Sequence, residues 1–210
     1  MRIAILGGTG SFGLALAARL VACDEDDVVI GSRDADRAEE AARELGGGRV
    51  SGAANHNAVQ RADLVVLAVK ADAALETART IADALGDIAL LSVAAGLSFS
   101  KDGCRPDPDA LSIAERVQEI VRAPVVAGLH SIAASNLGEA PPEEDALICG
   151  DDAGAKGLAL ELAAKVVAGR ALDAGPLASA RALEGLTAVI VNLNKRYKAH
   201  AGIRVSGIPE

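Results

Sequence analysis

Residues 8–13 read Gly8-Thr9-Gly10-Ser11-Phe12-Gly13, a G-x-G-x-x-G that follows the apolar run Arg2–Leu6 and opens a helical stretch over residues 11–22. Nothing else in the chain constrains its fold as much. Between a first strand and a first helix, such a pattern marks a βαβ unit whose loop cradles phosphate. Gly8 is expected to make the tight turn, Gly10 to let a pyrophosphate reach the backbone, and Gly13 to bring helix and strand close. Free N–H groups at the helix N-terminus would point at the anion. A glycine-rich turn without a ligand is the competing reading.

Strand and helix patterns alternate through the first half. Short apolar runs at 27–30, 49–51, 62–69 and 88–93 are separated by helical stretches at Ala35–Leu45 and Ala71–Leu85. Gly46-Gly47-Gly48 and Gly86 end those helices. Strands that are apolar throughout, rather than alternately, belong in a parallel sheet covered on both faces. The expected fold class is therefore α/β, a Rossmann-type doubly wound parallel sheet with a smaller C-terminal α/β part. Residues 96–108 lack any period and are expected to form a long loop. After them come a helix at 109–121, a strand at 124–129, a loop at 136–144, a strand at 146–149, a helix at 151–168 and a strand at 170–173. Pro176 precedes the long last helix, 177–198. The expected division is 1–135, a dinucleotide-binding domain, and 136–210, a smaller part.

A chain of 210 residues suits one domain, or one with an appendage. A net charge of −8 argues against nucleic-acid or anionic-membrane partners. Cys23, Cys104 and Cys149 are odd in number and scattered, so neither a disulfide framework nor a metal site is expected, and a cytoplasmic location is. The longest uncharged runs are too short and too glycine-broken for a membrane span or signal peptide.

The end of the second strand bears on which dinucleotide is bound. An NAD-binding chain would place an acidic residue there for the ribose 2′-hydroxyl. Here the place reads Gly31-Ser32-Arg33, with Arg33 20 positions beyond Gly13. An arginine fork beside a serine hydroxyl suits a 2′-phosphate, and Arg37 could complete the clamp one turn later. Asp34 and Asp36 could serve a 2′-hydroxyl instead, or simply favour the first turn of a helix. The balance points to NADP(H).

Taken with Leu129-His130-Ser131-Ile132, Cys149-Gly150-Asp151-Asp152 and Asp173-Ala174-Gly175-Pro176-Leu177, these residues resemble the NADPH-dependent reductases of the deazaflavin coenzyme F420 over nearly the whole chain. The resemblance implies reversible hydride transfer between NADP(H) and coenzyme F420, with the deazaflavin in a cleft closed by residues 136–210. It implies cofactor contacts from Gly8, Thr9, Gly10, Ser11, Phe12, Gly13, Ser32, Arg33 and Arg37. Val69 and Ala73 would flank the adenine, and Ala95 and Ala134 the nicotinamide. Ile132 would lie where the rings stack. The chain departs from the archaeal pattern at Ala133, where that pattern has proline, and across residues 69–72. Its C-terminus looks like the bacterial branch.

Hydride transfer needs two flat rings stacked away from water and little covalent help. Ala94, Ala95, Gly96, Ala133 and Ala134 would leave room for them, although the chain is rich in alanine throughout. His130 would bond the deazaflavin's polar edge, or be a histidine tied to backbone at a strand end. No obligatory acid or base is assigned. Lys195, Arg196, Lys198, His200 and Arg204 would meet the coenzyme's anionic tail, or complement the dipole of the last helix. Asp173 is expected to anchor the turn at Gly175-Pro176. The last helix is apolar on more than one side, which fits either a homodimer face or a buried helix. Reductases of flavin or ferric iron, or a non-catalytic NADPH sensor, would share the nucleotide half. Imine and β-hydroxyacid reductases would need a larger helical domain than the length allows.

Overall fold

The computed structural model describes residues 1–138 and 140–208. In chain order the elements are β1 (Arg2–Leu6), α1 (Ser11–Cys23), β2 (Asp27–Ser32), α2 (Ala35–Leu45), β3 (Val50–Ala54), α3 (Asn55–Ala58), β4 (Leu64–Leu67), α4 (Ala71–Leu85) and β5 (Ala89–Ser92). The hairpin β6 (Leu97–Ser100) and β7 (Gly103–Pro106) follows, then α5 (Ile113–Gln118), β8 (Val125–Gly128), β9 (Ala146–Gly150), α6 (Ala153–Val166), β10 (Ala171–Asp173) and α7 (Ala180–Tyr197). Short 3₁₀ turns lie at Ala134–Asn136 and Leu177–Ser179.

Eight strands form one sheet in the order β10-β9-β8-β5-β4-β1-β2-β3. The six from β3 to β8 are parallel, as the βαβ alternation requires. Ile3, Ile5, Leu64, Val66 and Leu91 point into a core under α1, α2 and α6. Ala4, Leu6, Val65, Leu67 and Leu90 point into a second core under α3, α4, α5 and the start of α7. Burial on both faces is why these strands read as unbroken apolar runs. Each fully buried Ile or Leu contributes roughly 1.5–3 kcal/mol.

Three expectations need correction. β9 runs antiparallel to β8, and β10 follows β9, so the sheet is mixed at that edge. Among the described residues the β8–β9 connection holds a 3₁₀ turn and no crossover helix, and the chain returns beside its neighbour in the opposite sense. Residues 96–108 are a hairpin, not a loop. Gly103 turns it at φ +126°, and Asn192 of α7 bonds both the N–H and the carbonyl of Cys104 at 2.8 Å. The helix expected at 109–121 is confined to α5. Its start is fixed by a capping box, in which Ser112 accepts from the Glu115 N–H and Glu115 accepts from the Ser112 N–H. That S-x-x-E signal was present in the sequence.

Candidate functional site

The phosphate loop is glycine at every position where a side chain would collide. The turn runs from Gly7 to Gly10, closed by the Gly10 N–H on the Gly7 carbonyl with Gly8 inside it, and its positive φ, +78°, falls on Gly7. At Gly8 a Cβ would press on the Ile5 carbonyl at 2.8 Å. At Gly13 it would lie 2.5 Å from the Gly7 carbonyl, so α1 can pack this close only without a side chain there. At Gly10 the nearest neighbour is 3.2 Å away, and the residue is exposed. No side chain caps α1, and its first turn holds no acidic residue. The loop therefore presents an open, positively polarised helix end to an anion.

The carboxyl end of β2 stands beside this loop, and the N–H groups of Gly7 and Gly8 both reach the Gly31 carbonyl at 3.0 Å. Ser32 is buried, and its Oγ accepts from the Asp34 N–H. Asp34 caps α2 by accepting from the Asp36 and Arg37 N–H groups, so its carboxylate is occupied by the helix. Arg33 and Arg37 are exposed, and neither has an ion pair or side-chain hydrogen bond among the described residues. Two free guanidiniums beside an open glycine loop fit the 2′-phosphate and pyrophosphate of NADP(H).

Farther along the same edge, Val69 and Ala73 lie half-buried at the start of α4. Ala95 helps line a cleft of about 640 Å³, together with Lys70, Leu75, Leu97, Ile113 and Arg116. After β8 the chain turns through Leu129, whose φ of +62° is left-handed, so His130 and Ile132 are set by an unusual backbone conformation. Ile132 is buried in the core under α1, while Ala133 and Ala134 are half-buried and the turn they begin packs against α1. His130 is buried, with Nε2 at 3.2 Å from the Ala94 carbonyl and a buried Nδ1 that has no partner among the described residues. Burial pushes its pKa down to about 4, so the ring is neutral and, with Nε2–H donating, Nδ1 is a free acceptor.

The basic cluster is divided. Lys195 and Arg196 line one groove with Lys101 and Asn192, whereas Arg204 lines another with Arg170 and Val205 and approaches Glu143 at 4.0 Å. Asp173 accepts from the Gly175 N–H at 2.8 Å, and Lys156 pairs with it at 3.0 Å. Two residues not singled out in the sequence stand behind the cleft. Glu184 of α7 is buried yet accepts from three backbone N–H groups, of Gly96, Ile113 and Ala114. Thr187, one turn on, donates to the His130 carbonyl at 2.9 Å. No local pattern marks either, because their partners are distant in sequence. Among the described residues no cluster of His, Cys, Asp or Glu could hold a metal ion, and no helix is long and apolar enough to cross a membrane.

Fold and site together define a Rossmann-type dinucleotide-binding protein of the reductase class. Residues 2–96 match the family described as NADP oxidoreductase, coenzyme F420-dependent. The F420-dependent NADP reductase of Methanothermobacter thermautotrophicus is 37% identical over 100% of this chain and 97% of its own length. That of Methanothermobacter marburgensis is 36% identical over the full length of both chains. A solved structure from Arthrobacter sp. FB24, described as a candidate F420-dependent NADP reductase, superposes with a TM-score of 0.85 at 26% identity, covering 99% of this chain and 100% of that one. The chain belongs to the F420-dependent NADP reductase family.

Proposed function

We propose that the protein catalyses reversible hydride transfer between NADP(H) and coenzyme F420. One hydride, carrying two electrons, passes from NADPH to oxidised F420, and one solvent proton completes F420H2 and leaves NADP⁺. The residues of the chain bind, orient and exclude water. Gly8, Thr9, Gly10, Ser11, Phe12 and Gly13 receive the pyrophosphate, and Ser32, Arg33 and Arg37 the 2′-phosphate. Val69 and Ala73 border the adenosine, and Ala95 and Ala134 the nicotinamide. His130, Ile132 and Ala133 border the deazaflavin. Residues 136–210 close this cleft over residues 1–135. The observation that carries the reading is the pair of arginines, without partners among the described residues, beside the open glycine loop, in a chain similar along its whole length to reductases of this activity.

The groove of Lys195 and Arg196 suits the anionic tail of F420, and Arg204, set apart from it, would meet only a longer tail. α7 exposes Val189, Leu193 and Tyr197 at four-residue spacing, a stripe that suits a second copy of the chain in a homodimer. A cytoplasmic location fits three free cysteines. The test is an absorbance assay with NADPH and oxidised F420, using NADH and FMN as controls. Bleaching of the deazaflavin with NADPH and F420 alone is the expected result. NADPH binding without bleaching would move the reading to another acceptor.

A further inference from the structure

Three hydrogen bonds link α7 to the two loops that flank the proposed ring site and link those loops to each other, and a fourth ties α7 to the start of α5. Glu184 accepts from the Gly96 N–H at 3.4 Å through one oxygen, and from the Ile113 N–H at 2.7 Å through the other. Gly96 follows Ala94 and Ala95, and the Ala94 carbonyl meets His130 Nε2 at 3.2 Å. The His130 carbonyl accepts from Thr187 Oγ1 at 2.9 Å, which returns the path to α7. Glu184 and Thr187 are three residues apart, on one face of the helix. The path thus runs from helix to nicotinamide-side loop, to deazaflavin-side loop, and back to helix. Ile113 and Ala95 also line the cleft, so one carboxylate holds two of its walls.

We propose that Glu184 and Thr187 are positioning residues that fix the spacing between the loop carrying Ala95 and the loop carrying His130, and thereby the separation of the two reacting rings. This rests on the reading that these loops border the rings. Neither residue touches the reacting atoms. Hydride transfer is steeply sensitive to donor–acceptor distance, and a displacement of about 1 Å can cost about 100-fold in rate. The left-handed Leu129 immediately before His130 gives the second loop a conformation that its surroundings must enforce, and Thr187 is one of the bonds that does so.

The charge environment adds a pH signature. Burial pushes the Glu184 carboxyl up to about 7, against the three N–H groups and Arg181, which favour its ionised form. The charged and titratable groups near it are Arg181 on α7, held by the Asp107 and Asp109 carbonyls, Asp107 itself beside Gly96, Glu115 on α5, and His130 on the facing loop. Of these, His130 is held neutral above about 4 by burial. Glu184 titrates near neutral pH. Its protonation replaces an acceptor of backbone N–H groups with a donor and loosens one side of the path.

The experiment compares Glu184→Gln, Thr187→Val and Thr187→Ser with the parent enzyme. It measures NADPH affinity by fluorescence and single-turnover hydride transfer to F420 across pH 5.5–8.5. The expected result for Glu184→Gln and Thr187→Val is NADPH affinity within about two-fold of the parent and hydride transfer slower by about 10- to 100-fold. Thr187→Ser should restore most of the rate. The parent's rate should fall as pH drops through about 7, and Glu184→Gln should lose that inflection. Folded Thr187→Val with the parent's rate, or folded Glu184→Gln with the parent's pH profile, would overturn the proposal. If Glu184→Gln does not fold, the Thr187 pair decides alone. Ala95→Leu separates the two readings. If it leaves transfer intact, the placement of the rings fails. If it blocks transfer while the α7 variants do not, only the positioning role fails.

Discussion

Around residues 7–13 and 31–37, the side-chain and turn hydrogen bonds close over two or three residues, and the long-range bonds, from the Gly7 and Gly8 N–H groups to the Gly31 carbonyl, are backbone to backbone. Gly10 N–H meets the Gly7 carbonyl, Ser32 Oγ accepts from Asp34, and Asp34 accepts from Asp36 and Arg37. On the acceptor side the partners are far apart in sequence. They are separated by 88 residues for Glu184 with Gly96 and for Asn192 with Cys104, by 57 for Thr187 with His130, and by 60 for Val205 with Asp145. The nucleotide end is shaped by backbone and by missing side chains, and the acceptor end by buried polar groups reaching across the fold. A local motif can form before the rest of the chain is in place. A buried polar group has its partner only once the chain has folded, and removing either leaves the other unsatisfied.

The largest expected effect of that difference lies at Asp145. Its buried carboxylate binds Arg170 at 2.8 Å and accepts from the N–H groups of Arg170 and Val205, tying down the C-terminal tail. Asp145→Ala should cost about 3–5 kcal/mol in a urea titration, because it removes the buried carboxylate that joins Arg170 to the Val205 N–H and so loosens the tail. The bonds from Arg170 hold the Asp145 carboxyl well below the usual range. Its contribution is therefore complete above the unfolded carboxyl's pKa of about 4 and is lost as pH falls toward the folded value. A variant as stable as the parent would remove the contrast between the two ends.

At the nucleotide end, Gly13→Ala should cost roughly 1–3 kcal/mol by pushing α1 off the loop, and NADPH affinity should drop with it. Retained affinity would mean that the loop tolerates the displaced helix. Arg33→Glu should spare stability to within about 0.5 kcal/mol. It should weaken NADPH by roughly 10- to 100-fold, the worth of a charge-assisted bond, and NADH far less. Equal losses for both nucleotides would refute the 2′-phosphate clamp.

The smallest effect is a pH dependence. Burial lowers His130 to about 4 from 6.5, so its share of stability is present above about 6.5 and lost as pH falls toward 4. Glu184 is raised from 4.5 to about 7, so its share is present below about 4.5 and lost as pH rises toward 7. Between about 4.5 and 6.5 the two slopes oppose one another. Glu184→Gln removes one of them. Relative to the parent, its stability should rise with pH across that window by up to about 1.4 kcal/mol per unit. A parallel pair of curves, read by thermal melting, would show that Glu184 titrates normally.

Much of the nucleotide end was legible in the sequence. Ala35–Leu45 and Ala71–Leu85 were bounded to the residue, because glycine stops and apolar spacing are local signals. The position of Arg33 came from spacing alone. Even there two adjacent glycines leave it to packing which one takes the positive φ, and it is Gly7. The acceptor end was less legible. The run Leu97-Ser98-Phe99-Ser100 is too short to announce a strand, and it is one because Asn192 docks its partner strand. α7 was bounded closely, yet nothing in its sequence distinguishes the buried Glu184 from a solvated one.

The sequence by itself determined the parallel half of the sheet, the glycine loop and the arginines beside it. In each of these the residue acts through its own backbone freedom, its apolar surface or its free charge. Only the tertiary structure decided the antiparallel return of β9, the hairpin, the neutral state of His130 and the burial of Glu184. Those depend on which distant groups meet, and a polar side chain has no fixed role until the fold supplies its partner and removes its water.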